Sequence, residues 1–363
     1  LLPGYDFVSC DQPLCTGNGL TYLMANDGDA WDPDASDPGD WVDANDIKYH
    51  SNVFDSSRCE VSNSSWHGTR VAGIIGAATN NQLGIAGIGW GARILPVRVL
   101  GKCGGWDSDI IAGMQWAAGL SLSGVPINQN PAKIINLSLG SASECNAAYA
   151  ETINQLGYLG ISVVASAGND SALINTPANC NGVISVVGVR HTGTKVGYSS
   201  LGPQATIAAP AGNCVNLSGA CLFPLDTTIN LGTTSPSIND YSDQYDANLG
   251  TSFSAPVVSG TIALMLGVNK DLTPDQVKWA LQSSAKPFPQ TADTTCEMPT
   301  SHTAVQVNES ECNCTTSTCG AGLLNAYQAV INARQPAPTS SGGGGSVDLL
   351  SCIFLCGLTA AKL

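Results

Sequence analysis

His67-Gly68-Thr69-Arg70-Val71-Ala72-Gly73-Ile74-Ile75-Gly76-Ala77 is a run of small and apolar residues with the texture of a buried helix, and Ala92-Arg93-Ile94-Leu95-Pro96-Val97-Arg98-Val99-Leu100 after it reads as a buried strand. The alternation continues outward. A helix is expected over 107–120, a strand over 133–137, a helix over 145–159, and strands over 161–165 and 182–187. Strands alternating with helices define a parallel, doubly wound α/β sheet.

Toward the N-terminus, Leu1 to Val8 reads as an interior strand with its entry turn, so the true start of the protein is expected upstream. Residues 9–66 read as an acidic surface insertion, densest in NDGDAWDPDASDPGDW at 26–41. Toward the C-terminus, 197–250 is loop-rich and 251–267 is a long apolar helix with Pro256 in its first turns. Thr273-Pro274-Asp275-Gln276 supplies an N-cap, a proline at the first helical position and a glutamine to close a capping box. A Cys- and Thr-rich loop at 290–319 leads to a last amphipathic helix at 322–333. The expected organisation is one domain over 1–334, a Pro/Ser/Gly linker over 335–346 and an apolar segment over 347–363.

The 363 residues, 43% of them hydrophobic, suffice for one large core. Against 28 acidic side chains stand only 14 lysines and arginines, a formal charge of −14, so nothing would neutralise phosphates and a nucleic-acid partner is excluded. Fourteen cysteines place the chain in an oxidising compartment, with disulfides favoured over zinc even at Cys312-x-Cys314-x4-Cys319.

Three segments carry chemistry. His67 opens a helix of small residues and can be presented to a cleft in one orientation. Ser252, in Gly250-Thr251-Ser252-Phe253-Ser254-Ala255-Pro256, lies at the start of a buried helix whose free N–H groups can meet an oxyanion. Asn169, in Ser166-Ala167-Gly168-Asn169-Asp170, follows a strand, at the end where α/β sheets place their sites.

The blocks at 67–73 and 250–256 resemble the HGT-x-VAG and GTS-x-SAP motifs of the subtilisin-like serine peptidases, and the resemblance runs over about 60–335. It implies a three-layer fold with a mostly parallel central sheet, and hydrolysis of peptide bonds in protein or peptide substrates. His67 would be the base, Ser252 the nucleophile and Asn169 the oxyanion donor. Leu100, Gly101, Gly104 and Gly105 on one side and Ser138, Leu139 and Gly140 on the other resemble the edges between which the family holds an extended peptide. Ser166 and Gly168 would floor the first pocket. An esterase of the α/β-hydrolase type is excluded by the neighbours of Ser252 and by motif order.

The resemblance also requires an Asp before the His, in a hydrophobic strand, followed by Thr-Gly or Ser-Gly. Neither Asp6 nor Asp226 fits that description, and the Asp is expected upstream of Leu1; the rival expectation is a noncatalytic binding protein of the same fold. By the same resemblance Thr79, Asn81, Leu83 and Ile85 would form a structural calcium loop, Cys59 would pair with Cys103 and Cys145 with Cys180, and Cys10–Cys15 and Cys214–Cys221 would be local pairs. Asp27 and Asp29 in the acidic run are candidates for a second calcium. Gly342-Gly343-Gly344-Gly345-Ser346 before the apolar end resembles a Gly-Gly sorting signal of Gram-negative secreted proteins. That implies export through the periplasm on a transient inner-membrane tether; an N-terminal propeptide and a monomer are expected besides.

Overall fold

The computed structural model describes residues 1–11, 15, 19–214, 220–246, 248–302 and 310–335. Its elements in chain order are β1 (Tyr5–Asp6), α1 (Ala44–Tyr49), α2 (His67–Gly76), β2 (Val97–Arg98), α3 (Asp107–Ala117), β3 (Ile134–Leu137), α4 (Ala147–Tyr158), β4 (Ser162–Ser166), β5 (Ile184–Val189), β6 (Ala205–Pro210), β7 (Thr228–Asn230), β8 (Asn239–Tyr241), α5 (Thr251–Val268), α6 (Pro274–Ser283) and α7 (Ala326–Asn332). Strands β3-β4-β5-β6 form a parallel sheet in that order, β1 pairs in parallel with β2, and β7 and β8 form an antiparallel hairpin.

Side chains alternate across a strand, and the sheet has two covered faces because both alternations are apolar. Val163, Ala165 and Val187 pack with Ile110 and Met114 of α3 and Tyr149, Ile153 and Leu156 of α4. Val164, Ile184, Val186 and Ile207 pack on the opposite face with Ala255, Val258 and Ile262 of α5, Val277 and Leu281 of α6 and Ala329 of α7. The result is the three-layer α/β fold expected from the motifs. Helix α5 is apolar all round because it lies inside this core.

The observed elements differ from the sequence reading in three places. The strand expected over 92–100 contracts to Val97–Arg98, since only this part finds a partner, in β1. The loop-rich stretch contains β6 and the β7–β8 hairpin; β6 is built largely of alanines, which carry no strand signal, and its pairing with β5 overrides propensity. The last helix starts at Ala326, where the Asn325 side chain caps it, because Leu323 is already bridged to Lys286 and Ala208.

Between β2 and β3 the sheet is open. A cleft of about 2660 Å³ is lined by Ile94, Val97 and Val99 on one side, Ile134 and Leu137 on the other, and His67 and Val71 of α2. Among the described residues neither β2 nor β3 has a strand partner on the edge facing this cleft.

The four disulfides implied by the resemblance are present, and Cys296–Cys312 and Cys314–Cys319 join them, so these thiols do not hold zinc. The linker from residue 336 and the segment 347–363 lie outside the described residues.

Candidate functional site

His67 is the first residue of α2, and its neighbours fix where it stands. Trp66 before it is buried in the left-handed region at φ 49°, and its indole N–H donates to the Gly232 carbonyl at 2.6 Å. A bulky residue at positive φ is strained and persists only where its surroundings determine it. The carbonyls of Thr69 and Arg70 accept the hydroxyls of Thr228 at 2.8 Å and Thr227 at 2.5 Å. Gly73 lets these two threonines approach, because a Cβ there would overlap both hydroxyls.

Asp40, from the acidic insertion, accepts the Ser65 N–H and the Ser65 hydroxyl, each at 2.6 Å, and that hydroxyl accepts the His67 N–H at 3.3 Å. Burial pushes the His67 imidazole below its ordinary pKa; the Asp40 carboxylate acts in the opposite sense and the Arg70 guanidinium reinforces burial.

Ser252 is the second residue of α5, after Gly250, whose φ of 143° suits glycine alone. Its hydroxyl donates to the Ser138 carbonyl at 3.2 Å, and the Ser138 hydroxyl donates back to the Ser252 carbonyl at 2.6 Å. The Ser252 backbone N–H, in the first turn of α5, has no acceptor among the described residues. The Asn169 side-chain oxygen accepts both the N–H of Thr251 at 2.9 Å and its hydroxyl at 3.0 Å. With the oxygen so engaged, the amide cannot flip, and its NH2 is the end left to donate.

The structure thus brings Asn169 to the start of α5 beside Ser252, and places the His67 ring 5.9 Å from that of Phe253, the next residue. It does not join Ser252 to His67 by a hydrogen bond, and among the described residues nothing bonds to the His67 ring. Leu100, Gly101, Gly104, Gly105, Ser138, Leu139 and Gly140 line the same cleft as His67. Gly101 and Gly104 bridge each other, and Cys103 between them is tied to Cys59 of the insertion. Ser166, buried, ends β4, and Gly168 follows at φ 110° with its N–H on the Thr251 hydroxyl at 3.1 Å.

The carboxylates of Asp6, Asp27 and Asp32 gather within 4.8 Å, with Arg98 bonded to Asp6 and to Asp27. Asp29 is held above the usual carboxylate range, by desolvation and by the charges of Asp32 and Asp27. Thr79, Asn81, Leu83 and Ile85 form a turn after α2 in which the Asn81 side-chain oxygen accepts the Leu83 N–H at 3.1 Å. Asp40, Trp66, Arg70 and Asn248 are site neighbours that sequence reading passed over. Only Arg70 carried a signal, its position one helical turn beyond His67.

A doubly wound α/β protein with a serine, a histidine and an oriented amide gathered at strand and helix ends defines the class of the molecule. Residues 28–322 match the model of the subtilase family, Peptidase S8, and the chain belongs to that family. It is 36% identical over 336 residues to an extracellular protease of Xanthomonas campestris pv. campestris, covering 92% of this chain and 48% of that one. It is 37% identical over 294 residues to an extracellular basic protease of Dichelobacter nodosus, covering 79% and 44% respectively. The chain therefore spans about half the length of these curated relatives. Among solved structures, a protease from Pseudoalteromonas arctica superposes with a TM-score of 0.73 at 38% identity, over 92% of this chain and 84% of that one.

Proposed function

We propose that the protein is a secreted serine endopeptidase acting on protein or peptide substrates. Ser252 Oγ attacks the scissile carbonyl carbon while its proton passes to His67, which then gives that proton to the leaving amine; water hydrolyses the acyl-enzyme by the same relay. The oxyanion is received by the Ser252 N–H and the Asn169 NH2. The observation that carries this reading is the Thr251–Asn169 bond, which engages the amide oxygen next to Ser252 and leaves the NH2 as the end free to donate. The edges at Leu100–Gly105 and Ser138–Gly140 would hold the peptide in extended form, with Ser166 and Gly168 beneath its first side chain.

His67 also needs a carboxylate. The cleft between β2 and β3 supports a source for it, since a further parallel strand there would meet two unpaired edges and pass beside His67. We place the third triad member, an Asp, at the end of such a strand, encoded upstream of Leu1. Labelling of Ser252 by a fluorophosphonate, abolished by Ser252→Ala and by His67→Ala, tests the assignment. The position of the Ser252 hydroxyl on Ser138 rather than His67 favours a second reading, a noncatalytic binding protein, and unlabelled Ser252 in the full gene product would establish that instead.

Calcium fits the acidic insertion: Asp27, Asp29 and Asp32 offer hard oxygen ligands whose mutual repulsion a cation would relieve, and Arg98 offsets it at Asp27 alone of the three. The Thr79–Ile85 turn fits less well, offering carbonyls and one amide oxygen already engaged. Bound calcium would supply structural stability here, with no part in the chemistry. The remaining elements of the proposal are an N-terminal propeptide, a monomeric peptidase domain over 1–334, and a tail whose apolar end tethers the chain transiently to the inner membrane of a Gram-negative cell.

A further inference from the structure

Arg70 lies on α2 three residues beyond His67, and so shares its face of the helix. Its guanidinium donates through Nη1 to the side-chain oxygen of Asn248. Asn248 is 1% exposed and stands two residues before Gly250, on the loop that delivers Ser252. Its own amide donates to the Leu225 carbonyl at 3.0 Å, and Thr227 from the same segment donates to the Arg70 carbonyl at 2.5 Å. The base-bearing helix, the loop before the nucleophile and the 225–228 segment are thus closed into a ring of polar contacts with Arg70 at its centre. The guanidinium is held there at a cost, because its Nε is buried with no partner among the described residues.

We propose that Arg70 is a positioning residue of this site: through Asn248 its guanidinium locks the histidine-bearing helix to the loop leading into Ser252, and lays a fixed positive charge beside the histidine. The assignment rests on His67 as base and Ser252 as nucleophile. Two charged groups among the described residues act on the imidazole, Asp40 from the insertion and Arg70 from α2, and the Phe253 ring of α5 packs near it. Arg70 disfavours the imidazolium and Asp40 favours it, so the pair brackets the proton affinity of the base.

The test compares Arg70→Lys, Arg70→Met, Asn248→Ala and the Arg70→Met/Asn248→Ala double variant with the parent, all in the full gene product that carries the triad Asp proposed above. Each is followed by peptide hydrolysis across pH, by NMR titration of the His67 imidazole and by thermal melting. Arg70→Met is expected to lower kcat about tenfold with KM within about twofold, the pattern of a group that aligns reacting partners. It should also move the His67 midpoint upward. Arg70→Lys, which keeps the charge, should hold the midpoint while losing part of kcat, and the double variant should be no slower than Arg70→Met, because both changes cut one link. An unmoved His67 midpoint in Arg70→Met overturns the proposal, whether kcat is unchanged or falls only in step with the melting temperature. If the parent full gene product neither hydrolyses peptides nor labels, the functional reading fails, and the NMR titration still decides whether Arg70 sets the field at His67.

Discussion

The side-chain oxygen of Asn169 accepts the backbone N–H of Thr251 at 2.9 Å, a bond that joins the loop after β4 to the first residue of α5. It spans 82 residues of sequence and fixes the orientation of the Asn169 amide relative to Ser252.

Asn169→Ala removes the proposed side-chain oxyanion donor and leaves the Ser252 N–H. A fall in kcat of roughly 10²–10³-fold with little change in KM is expected, a magnitude known for such an amide in a subtilisin and carried over to this relative. Steady-state kinetics on a chromogenic peptide measure it. An equal fall in Asn169→Asp, which retains an oxygen for Thr251, would confirm that the NH2 is the working end.

The pH dependence of kcat/KM should report His67. Burial, helped by Arg70, lowers the His67 pKa and Asp40 raises it, and the triad carboxylate proposed above would act in the same sense as Asp40. Asp40→Asn removes one of the charges that raise it, so the imidazole should lose its proton more readily and the acid limb should move further toward acid. A limb displaced toward alkali would show that Asp40 acts on another group.

The sheet and its helices were legible because their periodicities are unambiguous: Val163 and Val164 face opposite cores, and Thr273 with Gln276 caps α6 as the four-residue signal requires. Ser252, His67 and Asn169 were legible through local motifs. Asp40 was not, since its approach to His67 follows from the path of a turn-rich insertion and leaves no periodic trace. The Arg70–Asn248 contact joins residues 178 apart, and no local rule pairs them. The opening between β2 and β3 is a property of the assembled sheet and could be read only as an unfulfilled expectation for the strand at 92–100.

Gly73→Ala should destabilise the protein by about 1–3 kcal/mol, the range for forcing extra atoms into a packed contact. The methyl group would push Thr227 and Thr228 off the carbonyls of Arg70 and Thr69. Chemical denaturation of the Ser252→Ala background, which prevents self-digestion, gives the value.

Chelation should lower the melting temperature of the same background, because a ligand bound only to the folded state stabilises by mass action. Asp29→Asn combined with Asp27→Asn should abolish the response to calcium while leaving most of the fold intact, as both residues are exposed and Arg98 keeps Asp6 as a partner. A melting temperature indifferent to excess chelator would remove calcium from the proposal.

Lys195 offers the last prediction. It is fully buried, and its ammonium donates to the carbonyls of Val196 at 2.8 Å and Gly197 at 2.7 Å. Gly197 in turn accepts the Ser171 hydroxyl at 2.7 Å, and Ser200 donates to the Gly168 carbonyl at 2.9 Å, so the amine lies under the turn that carries Asn169. Burial pushes its pKa down to about 7. In the unfolded chain a lysine titrates near 10.4, so between these values the unfolded state binds more protons than the folded one, and the Lys195 contribution to stability rises with pH through that window. Below pH 7 both states carry the proton and the penalty of the buried charge is complete. Lys195→Met removes the titration, keeps most of the volume and takes one donor from each of two carbonyls, which keep the Ser199 N–H and the Ser171 hydroxyl. Measured by denaturation in the Ser252→Ala background, the stability of the parent relative to Lys195→Met should therefore increase from pH 7 to pH 10. A difference that stays flat or shrinks over that interval would mean that the amine keeps its proton in the folded protein, held by acidic partners that outweigh its burial.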